Sequence, residues 1–255
     1  MAIFFRFITL CILSVFQFNT KLRNNFTLWL LQDCIKINLY LLTKYIFYIR
    51  WYFAKNFSYD SEVLCTATIY GRNNIVGMII ENGVSVNQPD GYNNYPLIEA
   101  AKSGHETVIV QLLNAGAYIN QKDNQGMTAL MWAGISLSSK LSTMQVLVRH
   151  KADVNLGNNF HETALYQMIG LRKEIDSAQL LIDAGADVNA KNAFGVTPLM
   201  IAAEKGSFNT VLMLLNAGAN PNYVSANNNT ALDMAVRGNH DNVAKLLTEW
   251  LMEKG

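Results

Sequence analysis

The chain is short of the residues that most often carry chemistry. It has three cysteines and four histidines in 255 residues. Cys11, Cys34 and Cys65 form no C-x-x-C pair, their number is odd, and none follows position 65. This excludes a disulfide framework and fits a reducing compartment or indifference to redox. None of His105, His150, His161 and His240 stands at metal-ligand spacing beside cysteines or carboxylates. His161-Glu162 reads as a turn. No G-x-x-x-x-G-K-[ST] or G-x-G-x-x-G phosphate loop is present. Ser138-Ser139 and Cys65 lack a placed base. Asp183 and Asp187 read as solvated charge, because Gly185 ends the helix between them. No catalytic residue, cofactor or metal is therefore expected, and a non-enzyme is.

Charge is also sparse, at 15% of residues, with a net of +1. A general polyanion binder is not implied, so no nucleic-acid partner is expected. The average hides an asymmetry. Residues 1–57 carry seven Lys/Arg against Asp33, a net of +6, and residues 58–255 carry thirteen against eighteen, a net of −5.

What the chain does have is periodicity. Residues 195–222 read as two short helices with punctuation. Thr197 is suited to cap the first, Pro198 to open it, and Gly206 to stop it in the left-handed conformation. The run Val211-Leu212-Met213-Leu214-Leu215 makes the second, stopped by Gly218. Helices of two to three turns are marginal alone in water, so the unit needs neighbours. They are present. The closing asparagine recurs at Asn87, Asn120, Asn155, Asn189 and Asn222, at spacings of 33, 35, 34 and 33 residues. The entry threonine recurs at Thr128, Thr163, Thr197 and Thr230, with Tyr95 in the second unit. The second-helix glycine recurs at Gly83, Gly116, Gly185 and Gly218, with Lys151 in the third unit. Several landmarks in one register are the signature of a stacked repeat.

On these residues the chain resembles the ankyrin-repeat family. The closest stretches are Tyr95-Pro96-Leu97 with Ala100-Ala101 and Gly104-His105, and Gly195-Val196-Thr197-Pro198-Leu199 with Ala202-Ala203. The resemblance implies an all-α repeat, a solenoid of paired antiparallel helices with β-turn/hairpin fingers. Six units are expected, at about 58–89, 90–122, 123–157, 158–191, 192–224 and 225–255. The turn residue is Asp90, Asp123, Asn158, Asn192 or Ser225. Three later stand Asn93, Gly126, His161, Gly195 and Asn228, and positive φ is expected there; Asn and Gly tolerate it and His is less favoured. The family's histidine after Thr-Pro-Leu is replaced by Ile98, Met131, Tyr166, Met200 and Asp233, so its usual inter-loop hydrogen bonds are not expected. The third unit has two extra residues between Ile135 and Thr143 and the non-glycine Lys151, which predicts a looser loop and a weak point. The fourth has one extra residue around 170–173. The sixth ends in a charged helix suited to cap the stack.

The resemblance also implies a function: a non-catalytic protein-binding module, gripping an unidentified protein partner along its concave side. Carried onto this register, the finger positions are Tyr92, Asn94, Asn124, Gln125, Met127, Phe160, Glu162, Phe194, Val196, Asn227 and Asn229. The helix-end positions are Lys102, Ser103, Glu204, Lys205 and Arg237. Tyr92, Phe160 and Phe194 hold one tip position in three units. Two readings of these rings stand side by side: anchors for a partner, in keeping with the weight aromatics carry at interfaces, or rings lying flat on the next finger. A monomer is expected. The abundance of Asn, Ile, Lys and Tyr suggests an AT-rich genome, and the chain is similar to small ankyrin proteins of host-associated bacteria or large viruses.

Residues 1–57 form a hydrophobic, basic leader for which a helix is expected. Ile3–Phe18 is apolar apart from Arg6, as in a signal or anchor, but no small-x-small cleavage site follows and it is short for a span. Within 28–53, Lys36, Lys44 and Arg50 lie near one helical stripe with Tyr40 and Phe47 between. That suits an amphipathic helix on an anionic membrane, and gives the alternative function of a membrane-tethered adaptor. The same segment also suits a cap over the first unit, a poorly ordered tail, or upstream sequence outside the true reading frame. The repeats are expected in a soluble reducing compartment.

Overall fold

A computed structural model describes residues 60–136, 141–170 and 175–254, together with positions 32, 33 and 36. The remainder of the leader and residues 137–140 and 171–174, where longer loops were expected in units three and four, lie outside the described residues.

Among the described residues from Asp60 onward, twelve helices follow in pairs. They are α1 Asp60–Ile69, α2 Asn73–Glu81, α3 Pro96–Ser103, α4 Glu106–Asn114, α5 Ala129–Ile135, α6 Leu141–Arg149, α7 Ala164–Gly170, α8 Ile175–Asp183, α9 Pro198–Glu204, α10 Phe208–Asn216, α11 Ala231–Arg237 and α12 Asp241–Lys254. First helices (α1, α3, α5, α7, α9, α11) pack in one row, second helices in a parallel row, and each pair packs internally. One continuous apolar core runs from Val63 to Leu247. The alanine pairs Ala100-Ala101 and Ala202-Ala203 are fully buried, so the inner row sits close to its neighbours.

The threonines explain the helix starts. Thr128, Thr163, Thr197 and Thr230 accept, at 3.2–3.4 Å, from the backbone N–H three residues on. Each thus satisfies one orphan donor of the first turn. Asp233 completes a capping box, taking the Thr230 backbone N–H at 2.8 Å and its hydroxyl at 2.7 Å. Second helices end on residues at positive φ: Gly83, Gly116, Lys151, Gly185 and Gly218, with Lys151 at 68°. Lys151 and the residue after it close the helix as the glycines do, their N–H groups donating to Val148 O at 2.9 Å and Leu147 O at 3.0 Å.

The periodic asparagines tie one unit to the next. Asn87 Nδ2 donates to Gly116 O at 2.9 Å, and Asn87 Oδ1 accepts from Tyr118 N–H at 2.8 Å. Asn155 and Asn189 repeat the pair two and three units further on. His105 and His240 form a second tie. Their Nε2 atoms lie 3.0 and 2.9 Å from Ile69 O and Glu204 O, the carbonyls at the ends of the preceding first helices. Ser136 Oγ reaches Lys102 O in the same way at 2.6 Å. Gly206 is needed beneath His240, because a Cβ there would stand 2.4 Å from the imidazole Nδ1.

At the first unit Arg72 takes the histidine's place. Its guanidinium donates to Lys36 O, a separation of 36 residues, the same as for His105–Ile69 and His240–Glu204. This tie thus crosses the boundary expected at residue 58.

The fingers are turns rather than hairpins. No strand occurs among the described residues, so the expected hairpin reduces to a loop closed on itself. In each loop the turn residue's N–H donates to the carbonyl four residues on and its own carbonyl accepts from the N–H three on, as in Asn192–Val196 (3.0 Å) and Gly195–Asn192 (2.9 Å). A side-chain oxygen takes two further N–H groups: Asn192 Oδ1 accepts from Phe194 at 2.9 Å and Val196 at 3.0 Å. That is why Asp or Asn stands there. The residues three later, Asn93, Gly126, His161, Gly195 and Asn228, all have positive φ, as expected.

Candidate functional site

The fingers from Asp123 onward are joined through their backbones. Asn159 N–H donates to Gln125 O at 3.1 Å, Ala193 N–H to Phe160 O at 2.8 Å, and Ala226 N–H to Phe194 O at 2.9 Å. The carbonyls of the tip residues Gln125, Phe160 and Phe194 are thus tied to the next finger, whereas the Tyr92 finger meets its neighbour through the side chains of Asn93 and Asn124. Tyr92, Phe160 and Phe194 are 85%, 58% and 60% exposed. Gln125 and Asn227 hold the same position in the other two fingers and are exposed as well.

The other finger positions divide. Asn124 is exposed, its carbonyl accepting from Asn159 Nδ2 at 2.9 Å. Asn94, Glu162, Val196 and Asn229 are half-buried. Asn94 Nδ2 donates to Asp90 Oδ2 at 3.0 Å, and Asn229 Oδ1 accepts from Arg237 Nη2 at 2.8 Å. Met127 is a correction. It was expected on the contact surface, but it is 3% exposed and belongs to the core. The last finger residue turns its side chain inward wherever an apolar group is available, and Met127 Sδ there receives Gln167 Nε2 at 3.2 Å.

Among the helix-end positions, Lys102 is already engaged. Its ammonium donates to Glu99 Oε1 at 2.7 Å and lies 4.4 Å from the centre of the Trp132 ring. Glu204 and Arg237 are exposed, and Ser103 and Lys205 are half-buried.

A second row on the first helices was not anticipated. Glu99, Trp132, Gln167 and Ile201, all half-buried, follow the turn beside the fingers. Trp132 Nε1–H donates to Asp123 Oδ2 at 2.7 Å, pinning the indole to its finger. The available signal was register: these residues stand four after the N-cap in successive units.

Tyr166 was expected to leave the inter-loop bonds unmade. Instead its hydroxyl accepts from Asn192 Nδ2 in the next finger at 2.9 Å, so a phenol restores one such link. Burial, with the charges of Glu162 and then Glu204, pushes its pKa up to about 12. At the sixth unit, Asp233 is held below the usual carboxylate range by hydrogen bonds from the Thr230 backbone and hydroxyl. Burial, chiefly, holds the Cys65 thiol well above the ordinary thiol range, and its S–H donates to Asn94 O at 3.2 Å.

Among the described residues no group of three or more His, Cys, Asp or Glu side chains is arranged to hold a metal, and no helix is long and apolar enough to cross a membrane. The expected anchor and amphipathic stretches at 3–18 and 28–53 fall almost wholly outside the described residues.

Comparison with known proteins points one way. The family model for ankyrin repeats in three copies matches residues 33–123, 64–158, 97–192 and 165–254. Among curated proteins, a mitochondrial disaggregase of Bos taurus is 35% identical over 155 residues, covering 59% of this chain and 22% of that protein. A putative ankyrin repeat protein of Acanthamoeba polyphaga mimivirus is 28% identical over 159 residues, covering 62% and 20%. An E3 ubiquitin-protein ligase of Arabidopsis thaliana, XBAT33, is 29% identical over 183 residues, covering 68% and 32%. The chain thus spans between a fifth and a third of the length of these relatives. Ankyrin repeats generally mediate protein–protein interaction, and the fold itself is typically non-catalytic. From the helix pairs, the tied fingers and the family match over residues 33–254, the chain belongs to the ankyrin-repeat family.

Proposed function

We propose that the chain is a non-catalytic protein-binding module, acting as a monomer, whose partner lies across the finger tips and the first-helix row. The observation that carries this is the repetition of an exposed aromatic at one tip position, Tyr92, Phe160 and Phe194, the last two on fingers tied to their neighbours by backbone hydrogen bonds. Such rings contribute most when little ordering cost remains to be met on binding. The tied backbones at Phe160 and Phe194 and the two-torsion side chains meet that condition. The polar tips Asn124, Gln125, Asn227 and Asn229 supply adaptable hydrogen bonds between the anchors. Glu204, Lys205 and Arg237 provide a charged rim at the end of the groove. The membrane-tethered alternative depends on residues 1–57, and this face does not require it.

The test is site-specific photo-crosslinking in cells. A cross-linking amino acid at Phe194 or Phe160 should yield a discrete adduct with another protein, and one at Asn216 on the second-helix row should not. Equal adducts from both rows, or none from the finger tips, would refute the proposed face.

A further inference from the structure

Unit one is enclosed on the side where no further unit was expected. The last unit has a neighbour on one side only. There Ala231, Ala235, Val243 and Leu247 are buried, while Val236, on the open side, is 60% exposed. The counterparts of the buried four in unit one are Val63, Ala67, Ile75 and Ile79, and each is fully buried. A unit with water on that side would expose part of this apolar surface, as Val236 does at the other end.

The described contact on that side is in register. Arg72 donates to Lys36 O, and Lys36 stands 33 residues before Ile69, whose carbonyl faces His105 Nε2. Gln32, Asp33 and Lys36 are helical, and Lys36 Nζ lies 3.2 Å from Asp33 Oδ1. A helical residue thus supplies the carbonyl that the end of a first helix supplies one unit later.

The sequence before residue 58 continues the columns of the repeat. Leu31 stands 33 residues before Leu64, at the head of the column Leu64, Leu97, Leu130, Leu165, Leu199 and Leu232. Ile46 stands 33 before Ile79, in a column whose other members are Leu112, Leu147, Leu181, Leu214 and Leu247, all buried. Cys34 falls where units one, two, three, five and six carry a buried alanine, Ala67 being the nearest. Asn38 falls where Gly71, Gly104, Gly206 and Asn239 follow first helices at positive φ. Arg50 falls where Lys151 closes α6. Ala54 stands in the place of the closing asparagine, a departure of the kind terminal units show.

We infer that the outer face of unit one is the docking surface for residues 27–50 of the same chain, which serve as a seventh helix pair and cap the array instead of entering a membrane. Lys36, Lys44 and Arg50 are then the solvated side that a terminal unit needs. The inference does not depend on which face of the array binds a partner.

The test is hydrogen exchange by mass spectrometry on the full chain, without detergent, in the presence and absence of phosphatidylserine–phosphatidylcholine vesicles. The amides of 28–36 and 40–48 should exchange as slowly as those of α1 and α2, with or without vesicles. Leu31→Ala and Cys34→Phe should each speed exchange in α1 and α2 about tenfold or more, the first by leaving a cavity and the second by overpacking a small site. Cys34→Ala should change little, because alanine holds that column. Lys36→Ala should also change little, because its side chain is exposed and its carbonyl remains. Should Leu31→Ala unfold the cap outright, the contrast between the two Cys34 variants still decides. Unprotected amides at 28–48, protection that needs vesicles, equal effects of Cys34→Ala and Cys34→Phe, or α1 and α2 indifferent to both Leu31→Ala and Cys34→Phe would each overturn the inference.

Discussion

Replacing Lys151 with glycine should stabilise the protein. Lys151 closes α6 at φ 68°, where four of the five second-helix ends carry glycine. Its N–H bond to Val148 O is 2.9 Å, and that of Gly116 to Leu113 O is 3.0 Å, so the backbone is the same with or without the side chain. The side chain is exposed, so little contact is lost on removing it. Holding an ordinary residue in this region costs about 1–2 kcal/mol. Glycine gives back roughly 0.5–1 kcal/mol through the extra freedom of the unfolded chain. The net gain is therefore about 0.5–1 kcal/mol. For an array of this size that raises Tm by roughly 1–4 °C. The matched control is Gly185→Lys, where a Cβ would meet nothing within 4 Å. Its cost is purely conformational and should be of similar size and opposite sign. Urea and thermal unfolding followed by circular dichroism measure both. Because a solenoid's stability is roughly a sum of unit and interface terms, the gain should appear chiefly in unit three and its neighbours by hydrogen exchange. A neutral or destabilising Lys151→Gly beside a costly Gly185→Lys would refute the reasoning, since it would mean that the Lys151 side chain offsets its own strain.

Three further outcomes follow. Gly206→Ala should cost about 2–4 kcal/mol, read as a lower unfolding midpoint, because it combines positive φ with a Cβ driven into His240. The Asp233 capping box gives a pH dependence of definite sign. Its folded pKa is depressed, so its contribution is present above the unfolded value of about 3.9 and is lost as pH falls through the lower folded value. Asp233→Asn should thus be less stable than the parent at neutral pH, and the gap should close as pH falls below the unfolded carboxylate value. Truncation at Ser58 should lower the midpoint of the remaining repeats, because Arg72 loses the Lys36 carbonyl; an unchanged midpoint would mean that this tie adds nothing.

Much of the fold was legible because ankyrin punctuation is local chemistry. A threonine before the first helix, an Asp or Asn at the turn and a glycine after the second helix each satisfy particular backbone groups. The departures were legible too: Lys151, His161 and Asn228 adopt the positive φ that their register required. The closing asparagines could be counted from the sequence, but their role as ties between units could not, since it depends on where the next unit's backbone lies. Register also says little about which way a side chain points. Hence Met127 was assigned to the surface, although its apolar side chain is drawn into the core. Trp132, Tyr166 and Gln167 were overlooked as a group because they lie in units three and four, where inserted residues blur the helix ends. Tyr166 shows a further limit. Losing the family's histidine suggested a lost link, yet a longer side chain with its own hydroxyl reaches the same neighbour.

The central claim is that the finger aromatics bind a partner rather than support the fold. It is tested most directly by the triple variant Tyr92→Ala, Phe160→Ala, Phe194→Ala, compared with the parent for both unfolding midpoint and affinity capture of the partner that cross-linking has identified. The account predicts a midpoint within the scatter of exposed substitutions, about 0.5 kcal/mol, and loss of the partner. A destabilised variant, or one that keeps its partner, would contradict it.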